Sequence, residues 1–291
     1  MKKIALKIEV DTWHGAKNGV PALLEILQKH QARATFFVSL GADKSGQEKR
    51  ADSLKRFYPF ATRFAGELLP APRIGKSGAK IFKSVQEAGF ELGIRAWNRV
   101  LWESAIFQAT NEWVEAEMKK AILCFTEIFG LAPKAHAAAG FRMNRHALRM
   151  SQSFAFNYAS DSLGTCPFIP VIDGEIVLCP QIPTTLPTLD VLLEGDPKNK
   201  KVDLLSRLIE ETEKNAQTTQ VFTLRAEIEG GKFKQTFEDY LIKMTEKGYQ
   251  FISLGEFAKS LEIKNLPRHH VKMAEIAGRK GIRMTQGDIF P

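Results

Sequence analysis

The stretch KIEVDTWHG, residues 7–15, ends an apolar run with two carboxylates, Glu9 and Asp11. Along an extended strand residues i and i+2 face the same way, so both acids point to one side. Neighbouring carboxylates resist joint ionisation unless a cation lies between them, and such pairs serve elsewhere as a metal ligand plus a general base. Two solvated acids at an exposed strand end would look the same in isolation, so the residues that converge on the pair decide its meaning. Further candidates fall at or just past predicted strand ends: Arg95 and Arg99, Arg142 in AAAGFR, Asp161 in YASD, and Arg225 with Glu227 in LRAEIEG. Recurrence at the same end of successive strands reads as one site at a barrel mouth.

The elements that must position these residues alternate along the chain. Strands are expected at 4–10, 32–40, 90–96, 134–139, 156–160, 219–226 and 250–253. Helices are expected at 20–30, entered through Pro21, at 79–88, stopped by Gly89, at 111–129, closed by Gly130, and at 201–214 and 236–247. Repeated β-α alternation argues for an α/β protein with a parallel sheet, open or closed into a barrel. Residues 1–262 read as one such domain, followed by a basic tail, residues 263–291, expected to pack on it.

Two stretches break the rhythm. The segment 43–80 is too long for an ordinary connection and reads as an insertion. Within it Lys49, Arg50, Lys55, Arg56 and Arg63 interleave with Phe57, Tyr58, Phe60 and Phe64, a basic and aromatic mixture suited to an anionic membrane surface or to a solvated helix lying on the barrel. The second, CPQIPTTLPTLDVLLEGD, residues 179–196, carries three prolines and reads as a rigid loop where a substrate would be gripped.

The formal charge of +8 points to an acidic partner, and without a nucleic-acid recognition motif the membrane face is favoured over nucleic acid. No apolar run is long enough to span a bilayer, the start lacks a secretory apolar core, and three cysteines show no metal-type spacing. A cytoplasmic protein, peripheral at the inner membrane, is expected.

The ordered matches KIEVDTWHG, GVPALLEIL, SLGADKSG, GIRAWN, AAAGFR, YASDSLG, QIPTTLPTLD and RAEIEG resemble the polysaccharide deacetylases of the NodB-homology class. Within that class they are most like the branch acting on lipid-linked aminosugars, which includes the deformylase of undecaprenyl-phosphate-linked 4-formamido-arabinose. The resemblance implies a distorted (β/α)7 barrel and a divalent metal such as zinc, cobalt or manganese, held by one Asp and two His. It matches Glu9 to the general base, Asp11 to the metal-ligand Asp, Arg95 and Arg99 to the metal histidines, and Arg225 to the general-acid histidine. Arg142 and Asp161 match positions that orient the base and line the site. A substrate groove would run along Trp97, Phe141, Gln181, Pro183, Thr185, Pro187 and Glu227.

All three functional histidines of that pattern are therefore arginine. A guanidinium keeps its proton and offers only donors, so it neither coordinates a cation nor transfers a proton near neutrality. No metal cofactor is expected. Arg95, Arg99 and Arg225 are expected instead to supply the charge a metal would bring and to pair with Glu9 and Asp11. His14, His30, His136, His146, His269 and His270 remain, none at a ligand position of the pattern. The expectation is a catalytically inactive relative that binds a polyprenyl-phosphate aminosugar or another anion, or that partners an active paralogue. The alternatives are a hydrolase of non-peptide C–N bonds working without metal or with other ligands, and a purely structural membrane-surface protein.

Overall fold

A computed structural model describes residues 2–48, 53–194, 203–214, 218–276 and 279–291. The central strand β1 (Lys2–Val10) is buried on both faces from Ile4 onward, which explains why its apolar residues run on instead of alternating. It pairs in parallel with β2 (Thr35–Val38) on one side and with β8 (Gln220–Arg225) on the other, while β9 (Tyr249–Ser253) joins the beginning of β1. Beyond β2 follow β3 (Glu91–Ile94), β4 (Ala135–His136) and β5 (Tyr158–Ala159), all parallel. These seven strands, wrapped by helices, form the expected distorted (β/α)7 barrel.

The register positions the site. Glu9 lies opposite both Phe37 and Arg225, Val38 opposite Ile94, Ile94 opposite His136, and His136 opposite Ala159. The residues just past this level, Asp11, Ser39, Arg95, Ala138 and Asp161, therefore come together at the carboxyl ends of the strands, where a parallel barrel opens.

The loop 179–196 has a structural task along its first half. Ile182 donates its N–H to Ala159 on one edge strand, and Thr185 and Leu186 donate theirs to Val221 on the other, so this extended segment bridges the gap between β5 and β8. Its prolines Pro183 and Pro187 suit a strand-like stretch that needs few donors. Residues 195 and 196 lie outside the described residues.

Three expectations need correction. The basic and aromatic part of the insertion is not one continuous helix: its described part breaks at extended Pro59 into a 3₁₀ turn, Ser53–Phe57, and a short helix, Phe60–Arg63. Lys49 and Arg50 lie outside the described residues. The helix expected from residue 79 already starts at Ile74 and runs to Glu87, because Gly75 and Gly78, poor helix formers, are needed for close packing. The tail, which lacked clear periodicity, is an antiparallel hairpin of β10 (Arg268–Ile276) and β11 (Arg279–Ile289). It extends a second sheet made with β6 (Ile169–Ile172) and β7 (Glu175–Ile176), and bulges in the hairpin break the alternation that would have revealed it. Met284 of β11 is fully buried, and its carbonyl accepts from the N–H of Leu163.

Candidate active site

Lys7, Glu9 and Asp11 share one face of β1, and all three are almost wholly buried. Arg95, just past β3, spans the acids: its Nε donates to Asp11 Oδ1 at 2.8 Å and its Nη1 to Glu9 Oε1 at 2.6 Å and to the Ala138 carbonyl at 3.1 Å. Ser39 Oγ, just past β2, donates to the same Asp11 oxygen at 2.7 Å. Lys7 Nζ donates to the Ser160 carbonyl at 2.6 Å, stands 3.4 Å from Glu9 Oε1, and lies 4.7 Å from the centre of the Phe141 ring. Phe141 holds a left-handed φ of 55°, directly after Gly140, in the turn of AAAGFR. A bulky residue keeps such a conformation only where its surroundings enforce it, here with the ring buried beneath Lys7.

The charges balance, two cations against two acids. Burial alone would raise the Asp11 carboxyl, but Arg95, then Arg99, the Ser39 hydrogen bond and Arg225 outweigh it and hold Asp11 below the usual carboxylate range. Burial depresses Lys7 to about 8, with Glu9 as the main opposing charge. Arg95 is pulled down by desolvation and, more strongly, up by Asp11 and Glu9, so its proton is locked in place.

Asp161 is enclosed rather than presented. Its Oδ1 accepts from His136 Nδ1 at 2.7 Å and from the Ala138 N–H at 2.8 Å, and its Oδ2 accepts from Gln181 Nε2 at 3.0 Å. Burial opposes ionisation of Asp161, but the His136 charge and hydrogen bond outweigh it and hold the group below its ordinary range. Gln181 thus braces Asp161, while Thr185 Oγ1 accepts from the Val221 N–H at 2.9 Å.

The other arginines have different partners from those expected. Arg99 forms a fork to Glu48 of the insertion, Nη1 to Oε1 at 3.0 Å and Nη2 to Oε2 at 2.9 Å, with Glu103 Oε1 at 3.5 Å from Nη1. Its charge reaches Asp11, but its hydrogen bonds do not. Arg99 opens the helix Arg99–Ala105, which aims its side chain outward toward the insertion. Arg142 is turned away from the acids: its Nη1 donates to the Glu103 carbonyl at 2.7 Å and its guanidinium carbon lies 5.2 Å from the Phe107 ring centre. Arg225 places Nη1 3.5 Å from the Tyr58 hydroxyl, and its backbone N–H donates to Glu229 Oε2 at 2.8 Å.

Tyr58 corrects the membrane-surface expectation most sharply. It is 3% exposed, and its hydroxyl lies 3.3 Å from Glu227 Oε1, so it caps the site and does not face outward. Lys55 turns toward the carbonyls of Gly46 and Glu48, and Phe57 packs edge-on against Phe233 with Arg56 and Lys232 over its ring. Of the named set, Arg56, Phe60, 64% exposed, and Arg63 are exposed, with Phe64 against the Phe60 ring and Leu68 and Leu69 exposed nearby. Trp97 lies outside the barrel centre, in a cleft between the helices Ile74–Glu87 and Asn111–Phe129.

Glu227 is buried with Oε2 lacking a hydrogen-bond partner among the described residues. Burial, reinforced by the charge of Asp11 and opposed by Arg225, pushes it up to about 7. Burial likewise pushes Glu229 up to about 8, against the hydrogen bond from the Arg225 backbone. A cavity of about 830 Å³ opens beside the Arg99–Glu48 pair, lined in part by Glu67, Leu101 and Glu103.

Several participants were not among the sequence candidates, Ser39 and Glu229 with them. Lys7 was legible, since a lysine at period two with Glu9 and Asp11 shares their face. Glu103 stands four residues after Arg99 on one helix face and was legible in the same way. Glu48 carried no signal, because only the path of the insertion brings it to Arg99.

The residues present do not fit a divalent metal. The Asp11 oxygen that would coordinate one accepts from Arg95 and Ser39, and arginine has no lone pair to offer. Among the described residues no group of three or more His, Cys, Asp or Glu side chains is gathered as a metal site. No described helix is long and apolar enough to cross a membrane.

A family model of polysaccharide deacetylases matches residues 2–159. A protein of Shewanella sediminis named "Probable 4-deoxy-4-formamido-L-arabinose-phosphoundecaprenol deformylase ArnD" is 32% identical over 294 residues, covering 96% of this chain and 93% of its own length. Among solved structures, one from Mycobacterium smegmatis described as a polysaccharide deacetylase superposes with a TM-score of 0.65 at 14% identity, over 94% of this chain and 96% of that one. A Bacillus anthracis protein described as a CE4 family pseudoenzyme superposes with a TM-score of 0.55 at 13% identity, over 92% of this chain and 69% of that one. The barrel, the acids gathered at its carboxyl end, and a relative matched along nearly its whole length lead to one conclusion: this chain belongs to the polysaccharide deacetylase family.

Proposed function

We propose that this chain is a non-hydrolysing member of the family that binds a polyprenyl-phosphate-linked aminosugar, with Arg95 in the place of a catalytic metal. The observation that carries this reading is the Arg95 bridge between Glu9 and Asp11. Glu9 Oε1 already accepts from Arg95 and lies 3.4 Å from Lys7 Nζ, so the oxygen that a general base would turn toward water is taken up by the protein's own donors. The ligand class is supported by the name of the Shewanella relative. Arg95 spends Nε and Nη1 on Asp11 and Glu9, and the remaining guanidinium donors are of the kind that suits an anionic or hydroxyl-rich ligand. The exposed Phe60, Arg63, Leu68 and Leu69 would rest against the membrane that holds such a lipid.

A second reading, a metal-independent C–N hydrolase, draws support from Glu227, whose carboxyl near 7 suits proton transfer. One experiment separates the two. The untagged protein is incubated with zinc, cobalt and manganese, its metal content measured, and then mixed with polyprenyl-phosphate-linked 4-formamido-arabinose. The expected result is less than about a tenth of an equivalent of metal and recovery of bound, uncleaved glycolipid. Formate release above background, or a tightly held equivalent of metal, would overturn the binding-only reading.

A further inference from the structure

Outside the barrel mouth, a cleft of about 610 Å³ runs between the helices Ile74–Glu87 and Asn111–Phe129. Its existence follows from local packing. At Gly75 a methyl group would lie 2.9 Å from both Cys124 Sγ and the Leu40 carbonyl, so the first helix is pressed tightly against its neighbours there. Leu40, Trp97, Leu123 and Ile128 supply an apolar lining.

The polar lining is strongly basic. Arg73, Lys76, Lys83 and Lys120 face Glu127 as the sole acid among the lining residues. Lys120 is paired with Glu117 at 2.7 Å. Arg73, Lys76 and Lys83 make no ion pair with any described residue, in a chain whose other surface lysines often do. Unpaired cations set around an apolar slot fit a ligand that carries an anion and a hydrocarbon together, and the volume suits a medium-sized one. An acidic peptide would satisfy the cations but leave Trp97 and the leucines without apolar contact.

We infer that this cleft is a binding site for a prenyl or alkyl phosphate, with the phosphate on Arg73, Lys76 and Lys83 and the first hydrocarbon units on Leu40, Trp97, Leu123 and Ile128. As the site of the lipid portion of the ligand, the assignment rests on the reading above. It also accounts for Trp97, which stands between Arg95 and Arg99 in sequence yet turns to the outer cleft. Through this segment the cleft and the acid–arginine centre share a backbone.

The test uses farnesyl phosphate as probe, with farnesol and inorganic phosphate as controls, titrated calorimetrically into the full chain. Lys76→Glu with Lys83→Glu reverses two lining charges at exposed positions. Lys80→Glu reverses a charge at an exposed position of the same helix that does not line the cleft. One equivalent of farnesyl phosphate should bind, more tightly than either control, and about tenfold or more weaker in the double variant but unchanged in Lys80→Glu. Equal weakening by Lys80→Glu, equal affinity for inorganic phosphate, or no binding would overturn the assignment. Alkylation of Cys124, which lines the cleft, should be slowed by the probe while that of Cys166 is not; equal rates would also count against it. The complete glycolipid separates the two readings. If it binds wild type and double variant alike, the cleft is excluded and the proposed function stands. If farnesyl phosphate obeys the cleft variants but the glycolipid does not bind, the cleft stands and the proposed function fails.

Discussion

Arg95 Nε lies 2.8 Å from Asp11 Oδ1 while Nη1 of the same guanidinium lies 2.6 Å from Glu9 Oε1, so one side chain neutralises both acids of the first strand. The planar fork fixes the two carboxylates relative to each other as a bound cation would, and it adds hydrogen bonds that a spherical ion lacks.

Removing that fork should be costly. Arg95→Ala leaves Glu9 and Asp11 buried with Lys7 as the nearest compensating charge, and the expected loss is about 3–5 kcal/mol. Urea unfolding monitored by circular dichroism measures it. Arg95→Lys should recover part of the loss, because a single ammonium reaches one acid well and two poorly. A wild-type midpoint in Arg95→Ala would mean that the pair is not buried as described.

The Arg99–Glu48 fork ties the insertion to the barrel. A double-mutant cycle with Glu48→Gln and Arg99→Gln should return a coupling of about 1.5–3 kcal/mol, in the range of hydrogen bonds to charged groups. The same single variants should speed proteolytic cleavage within residues 43–58, with fragments identified by mass spectrometry. Additive effects would sink the idea that this pair latches the insertion.

Stability should depend on pH in two windows. Asp11 is depressed in the folded state, so its contribution is present above its unfolded value and is lost as pH falls through the folded one, on the acid side. Glu227 and Glu229 are raised, to about 7 and about 8, so folding favours their protonated forms. Their contribution is complete below the ordinary glutamate value and declines as pH rises toward 8. Urea midpoints of wild type should therefore fall between pH 5 and pH 8. Glu227→Gln with Glu229→Gln should flatten that fall, and an unchanged slope would contradict the assignment.

Gly19 tests the packing beneath the site. A methyl group there would lie 1.9 Å from the Ala226 carbonyl, within the segment that carries Arg225 and Glu227. The neighbouring atom is backbone and has no rotamer to yield. Gly19→Ala should cost about 3 kcal/mol or more, read from the same unfolding curves, against about 1–2 kcal/mol for Gly130→Ser, where the space is open and only the left-handed φ of 71° is strained.

Much of this was written in local patterns. Alternating strands and helices, Pro21 and Gly130 at helix ends, and the acids and arginines recurring at strand ends argue for a parallel sheet, open or closed, with the site at its carboxyl ends, and the family resemblance added the barrel. These features depend on periodicity, on turn chemistry and on the side-chain alternation of a strand, all of which a few neighbouring residues determine. What arginine brings to such a site was equally legible, since a guanidinium offers donors and no lone pair wherever the chain puts it.

Tertiary structure alone decided which arginine meets which acid. Arg95 stands on the strand level of Glu9 and Asp11 because Val38 pairs with both Val10 and Ile94, a register no single segment contains. Arg99 turns to Glu48 and Tyr58 to Glu227 because the insertion lies across the barrel mouth, and Arg142 turns to the Glu103 carbonyl because the helix Arg99–Ala105 packs beside the AAAGFR turn. The cleft behind Trp97 is lined by residues from segments distant in sequence, Leu40, Trp97, Lys76 and Leu123 among them. Long, flexible charged side chains choose partners by distance and burial, and both are properties of the folded chain rather than of its local pattern.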